Sequence, residues 1–68
     1  MKTLYDRLKP DYKYKLELEA LKFPNATYGL VEGLRKRKYV SELDLTTIQR
    51  LYNFCDIDIN FIYSAFDE

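Results

Sequence analysis

Sixty-eight residues allow a single small domain, because a chain of this length buries only about 60% of its unfolded surface. A hydrophobic share of 47%, with only two Gly and two Pro, supplies one core and excludes a disordered or low-complexity chain. The formal charge is zero, but residues 1–38 hold ten Lys/Arg against five Asp/Glu and residues 39–68 hold one against six; opposed fields of this kind suit a molecule that meets an anion on one face and something else on another.

The chain begins with a short helical stripe, Leu4 and Leu8 four residues apart with Tyr5 beside them, which Pro10 stops near Leu8 or Lys9. The next segment is ambiguous. Tyr12, Tyr14, Leu16 and Leu18 alternate with charged residues at strand period, yet Lys13–Glu17 and Lys15–Glu19 are spaced i, i+4. A lone strand has nowhere to place its hydrogen bonds, and no second alternating run exists, so a helix is expected. On that helix Leu16, Ala20 and Phe23 share one side, with Leu18 and Leu21 adjacent.

Pro24 and Asn25 punctuate the chain, and Asn25 or Thr27 is the candidate cap of a third helix with Tyr28, Val31 and Leu34 on its inner face. Gly29 and Gly33 leave one flank bare for close packing inside the domain, at a cost of about 1 kcal/mol each relative to Ala. The basic tetrad Arg35, Lys36, Arg37, Lys38 opens a connection running to Glu42. Asp44 is the expected cap of a fourth helix, with Leu43 stapled onto Ile48 and with Leu45, Ile48, Leu51, Tyr52 and Cys55 at helical spacing. The device repeats at once: Asp58 caps a fifth helix, Ile57 staples onto Ile62, and Phe61, Ala65 and Phe66 continue inward. The fold class expected is all-α, five short helices in one domain over residues 1–68.

Catalytic chemistry has little to stand on. The chain has no His, no Gly-rich phosphate loop and no Ser-His-Asp set, and its one cysteine, Cys55, sits among apolar neighbours as a buried thiol. No cofactor or metal is expected; Asp56 and Asp58 lack the further oxygen ligands and the central Gly of a calcium loop, and helix capping accounts for Asp58. The N-terminal residues carry scattered charge with no apolar stretch, and no run approaches the length of a membrane span, so a cytoplasmic protein is expected.

The stretch Thr47-Ile48-Gln49-Arg50-Leu51-Tyr52-Asn53-Phe54-Cys55-Asp56-Ile57 and on to Tyr63 resembles the fourth and fifth helices of Cro/cI-type helix-turn-helix regulators. That family shows Thr-Leu-x-x-Ile-Ala-x-Ala-Leu-Gly-Val-x-x-x-x-Leu here. Ile48 matches the first Leu, Leu51 the Ile, Cys55 the second Leu and Ile57 the Val; Tyr52 replaces an Ala and Asp56 the Gly. Upstream, Val31-Glu32-Gly33 is similar to the Ile-Glu-x-Gly that ends the family's recognition helix, with the Gly one position early. Phe23-Pro24-Asn25 stands where the family carries a Gly turn, and the second helix lacks the family's early Gln.

The resemblance implies a lambda-repressor-like domain of temperate-phage type, a Cro, antirepressor or repressor modulator. It implies a third helix in the major groove of double-stranded DNA with Asn25, Thr27 and Tyr28 as readers. Arg35, Lys36, Arg37 and Lys38 would hold phosphates, assisted by Lys13 and Lys15, and a homodimer would pair through Phe61, Ile62, Tyr63 and Phe66. A second expectation stands beside this one. The acidic half, Glu42, Asp44, Asp56, Asp58, Asp67 and Glu68, meets a basic surface on a repressor or host protein, and the chain reads no DNA. Zero net charge counts against a strong stand-alone DNA binder, because DNA affinity rests on phosphate neutralisation, yet DNA binding stays the leading expectation.

Overall fold

Thr3 and Asp6 start the first helix, α1 (Leu4–Arg7): the Asp6 carboxylate accepts from the Thr3 backbone N–H at 3.0 Å and from its hydroxyl at 3.2 Å. Pro10 then occupies the first turn of α2 (Pro10–Ala20), where its missing N–H costs nothing. Pro24 plays the same part in α3 (Pro24–Arg35), a 3-10 turn follows at Val40–Glu42, and α4 (Leu45–Cys55) leads to a C-terminal 3-10 helix, Ile59–Ala65. These elements come from a computed structural model that describes residues 2–67. They pack into an all-α globule of 29 × 23 × 22 Å, with no strand among the described residues and one isolated antiparallel bridge, Leu8 to Phe66.

The core draws unequally on the helices. Leu4 and Leu8 come from the α1 region, Leu30 and Leu34 from α3, Leu51 and Cys55 from α4, and Ile57, Ile62, Ala65 and Phe66 from the C-terminal segment. From α2 only Leu16 is fully buried; Ala20 is half-buried, and Phe23, expected on the same side, is exposed along with Leu18 and Leu21, because one side of an 11-residue helix suffices to close this small core. On α3 the inner face is Thr27, Leu30 and Leu34 rather than Tyr28, Val31 and Leu34. The helix is turned by about one residue, which places Tyr28 in solvent where its hydroxyl stays hydrated.

Gly29 and Gly33 pack closely inside the domain, as expected, and the neighbour is α4. A Cβ on Gly29 would lie 2.7 Å from Nη1 of Arg50, and one on Gly33 would lie 2.9 Å from Oγ1 of the buried Thr47. Asp44 caps α4 by accepting from Thr47 N–H at 2.9 Å, and Asp58 caps the last segment by accepting from Asn60 N–H at 2.8 Å. Two capping expectations are corrected. Neither Asn25 nor Thr27 caps α3: both lie inside it, and Phe23 holds the N-cap position with no side-chain bond. The fifth helix is 3-10 with a break at Phe61, which turns Phe61 outward while Ile62, Ala65 and Phe66 stay in.

The helix end at Asp56 is left-handed, φ 58° and ψ 31°, and Ile57 N–H donates back to Leu51 O at 3.3 Å. This is the closing turn that glycine normally supplies. Burial pushes the Cys55 thiol up to about 12, so it stays protonated and unreactive at neutral pH.

Candidate interaction surfaces

The basic tetrad is built into the domain rather than suspended from it. The Leu4 N–H donates to the Arg37 carbonyl at 2.8 Å, and the Arg7 guanidinium donates to the Lys38 carbonyl, so α1 grips the backbone after α3. The Arg37 guanidinium turns inward: Nη1 donates to Gly33 O at 2.7 Å, Nε donates to Glu42 O at 2.8 Å, and Nη2 lies 3.5 Å from Asp44 Oδ2. Arg37 thus ties the end of α3, the 3-10 turn and the cap of α4 together. The Glu42 carboxylate closes the same turn by accepting from Tyr39 N–H at 2.8 Å and Lys38 N–H at 3.0 Å, which holds its pKa below the usual 4.5.

Arg35 lies over the Tyr5 ring at 4.8 Å, and Lys13 approaches the same ring at 5.1 Å while donating to Asp6 O. Lys15 and Asp56, assigned to opposite surfaces in the sequence, form an ion pair with each other at 3.0 Å. Thr27 is buried and its hydroxyl donates to Phe23 O at 2.8 Å, so it cannot touch a base edge without leaving the core. Among the residues assigned to DNA, Lys15, Asn25, Tyr28, Arg35, Lys36 and Lys38 are exposed, Lys13 and Arg37 are half-buried, and Thr27 is buried.

On the acidic side, Glu42, Asp44, Asp56, Asp58 and Asp67 are exposed, while Glu68 lies outside the described residues. Phe61 and Tyr63 are exposed, but Phe66 is buried and pairs by backbone with Leu8, which removes it from any partner-facing surface. Asp44 is committed to Thr47, whose hydroxyl and N–H hold its carboxyl below the usual range.

The larger surprise is apolar. Leu45, expected inward, is 82% exposed, and Tyr52 and Ile59 are exposed beside it. With Ile48, Gln49 and Asp58 they line an open groove of about 430 Å³ between α4 and the last segment. A second unpartnered stripe, Tyr14, Leu18 and Leu21, follows the outer side of α2 at i, i+4, i+7. Helical spacing alone cannot distinguish an inner stripe from an outer one; the signal available was that Leu45 and Ile59 directly follow capping aspartates, a position at the rim of the core rather than in it.

Among the described residues no three Cys, Asp or Glu side chains gather as metal ligands, and no helix is long and apolar enough to cross a membrane. No protein-family model matches the chain, and comparison with curated proteins and with solved structures gave no match.

Proposed function

We propose that this chain is a non-enzymatic interaction protein that docks on another protein, using a helix-turn-helix-like scaffold of the Cro/cI type without depending on DNA. In the terms of that resemblance it corresponds to an antirepressor or repressor modulator, its partner a repressor or host protein with a basic surface. The observation that carries this reading is the exposed apolar area. Among the described residues eleven large hydrophobic side chains are 47–83% exposed. Grouped apolar exposure of this kind marks protein contacts. The state of Arg37 supports it: its guanidinium is bonded inward to the Gly33 and Glu42 carbonyls, and DNA affinity rises with the number of phosphates neutralised.

A second reading has its own observation. Asn25 and Tyr28 are exposed on the first turns of α3, which follows α2 after a three-residue turn, and Lys22, Lys36 and Lys38 are exposed at the two ends of that helix. This order suits groove reading with Asn25 on adenine.

Parallel selections separate the two. The purified chain is presented with a randomised duplex pool at low salt and with a displayed random-peptide library. Enriched peptides with no enriched duplex are the expected result. An enriched palindrome, with its binding lost in the Asn25→Ala, Tyr28→Ala double variant, would overturn the interaction reading in favour of a regulator.

A further inference from the structure

We infer that the groove between α4 and the C-terminal 3-10 helix takes a basic amphipathic helix from the partner protein. This inference rests on the interaction reading above and specifies its surface and its occupant.

The groove walls are apolar and held in place. Leu45, Ile48 and Tyr52 line one side of α4, and Ile59 faces them from the last segment. Leu45 and Ile59 are each the first residue after a capping aspartate, so the hydrogen bonds from Thr47 N–H to Asp44 and from Asn60 N–H to Asp58 fix the backbone that carries them. A surface whose anchors stand on capped helix starts loses little freedom on binding. Both walls are helical and the described residues offer no strand edge, so the occupant enters as a helix laying its apolar face into the groove, not as an added strand.

Charge identifies the flanks of that helix. Of the carboxylates in residues 39–68 Asp58 is the one that lines the groove, since Asp44 and Asp56 are paired with Arg37 and Lys15. No Lys or Arg lines it. The single cation of residues 39–68, Arg50, lies on the other flank of α4, with its guanidinium against Gly29. Asp58 lines the groove and uses Oδ1 for its cap, which leaves Oδ2 to face a cation. A helix with two apolar anchors and flanking Lys or Arg therefore fits, and an acidic helix is repelled. The competing occupant within this protein is α2 of a second copy. Its exposed Tyr14, Leu18 and Leu21 are bordered by Lys9, Lys15 and Lys22 and by Asp11 and Glu17, and with Lys15 already paired to Asp56 the remaining balance has no preference for an acidic groove.

The test is an NMR titration of the ¹⁵N-labelled full chain with a Leu/Lys amphipathic peptide of about five helical turns, with its Leu/Glu counterpart as control. Expected are amide shifts centred on Leu45, Gln49, Tyr52 and Ile59, with salt-sensitive binding of the Lys peptide alone. Leu45→Ser with Ile59→Ser should weaken binding by at least about tenfold with an unchanged melting curve, since both side chains are more than half exposed. Asp58→Asn, which retains a capping oxygen, should weaken the Lys peptide and admit the Leu/Glu peptide. Equal binding of both peptides by the parent chain, no binding, or full binding by the double serine variant would overturn the groove. Shifts centred on Tyr14, Leu18 and Leu21 would also overturn it while leaving the interaction reading in place. Self-association abolished by the same serine pair would assign the groove to a second copy and overturn the proposal. Failure of the peptide selections, by contrast, would remove the interaction reading itself.

Discussion

At the scale of single residues, Arg37 shows how a side chain written like its neighbours acquires a different task. Arg35, Lys36, Arg37 and Lys38 are indistinguishable in sequence, yet Arg37 alone donates into the carbonyls of Gly33 and Glu42. Bonds from a charged donor of this kind are each worth about 1.5–3 kcal/mol, so Arg37→Ala should lower stability by about 2 kcal/mol. Lys36→Ala, fully at the surface, should stay within about 0.5 kcal/mol, and chemical denaturation of both variants measures the difference. Asp56 is the opposite case, a residue whose place the resemblance did indicate. It stands where the helix-turn-helix family carries Gly, and its backbone is left-handed. Its ion pair with Lys15 is solvent-exposed and contributes little. Asp56→Gly should therefore raise stability by about 0.5–1 kcal/mol, seen as a Tm higher by about 3–6 °C. The caps at Asp44 and Asp58 were legible because a short acceptor before an apolar run has one local use. Thr27 was not: its small side chain fits equally at a surface or against the Phe23 carbonyl, and only the rotation of α3 decides.

At the scale of elements, α3 and α4 are set close by the two glycines, and the two positions differ in what a methyl group would meet. At Gly29 the neighbour is the far end of Arg50, which can swing aside; at Gly33 it is Thr47, which is buried and hydrogen-bonded into the α4 cap. Gly29→Ala should gain helix propensity and raise stability by about 0.5 kcal/mol. Gly33→Ala should lower it by about 1 kcal/mol, because the clash forces the helices apart. Thermal melts of the two variants, moving in opposite directions, check this. Element order and boundaries were legible for α1 and α4 through Pro10 and Asp44. The inner side of α2 was only half legible. Its apolar residues are too many for the surface they cover, so Leu16 takes the core and Leu18 and Leu21 are left outside. The last helix was legible as an apolar segment with a cap, but its 3-10 winding was not. A seven-residue segment that must bury Ile62, Ala65 and Phe66 and then meet Leu8 is shaped by the rest of the fold, not by propensity.

At the scale of the whole molecule, the two opposed charge fields of the sequence are partly folded into each other. Lys15 meets Asp56, and Arg37 meets Asp44. The carboxylates of Asp6, Glu42 and Asp44 hold helix starts and turns, and hydrogen bonds keep all three below their usual values of 3.8 to 4.5. For groups depressed on folding, the contribution is complete above the unfolded value and is lost as pH falls through the folded one. Tm should hold steady from neutrality to about pH 5 and fall below about pH 4. Glu42→Gln should lower the plateau and flatten the acid limb, which a series of melts against pH would reveal. The surface apolar groups were the least legible feature at this scale, because periodicity reports that a stripe exists and not whether the molecule covers it. The bridge from Leu8 to Phe66, with Lys9 N–H on Ala65 O and Asp67 N–H on Arg7 O, sets an order of events. The start of α1 is held by the Arg37 carbonyl, whereas the backbone at its outgoing end finds its partners only in the C-terminal segment. Those contacts join segments far apart in sequence, so they are among the slowest to close as the domain folds.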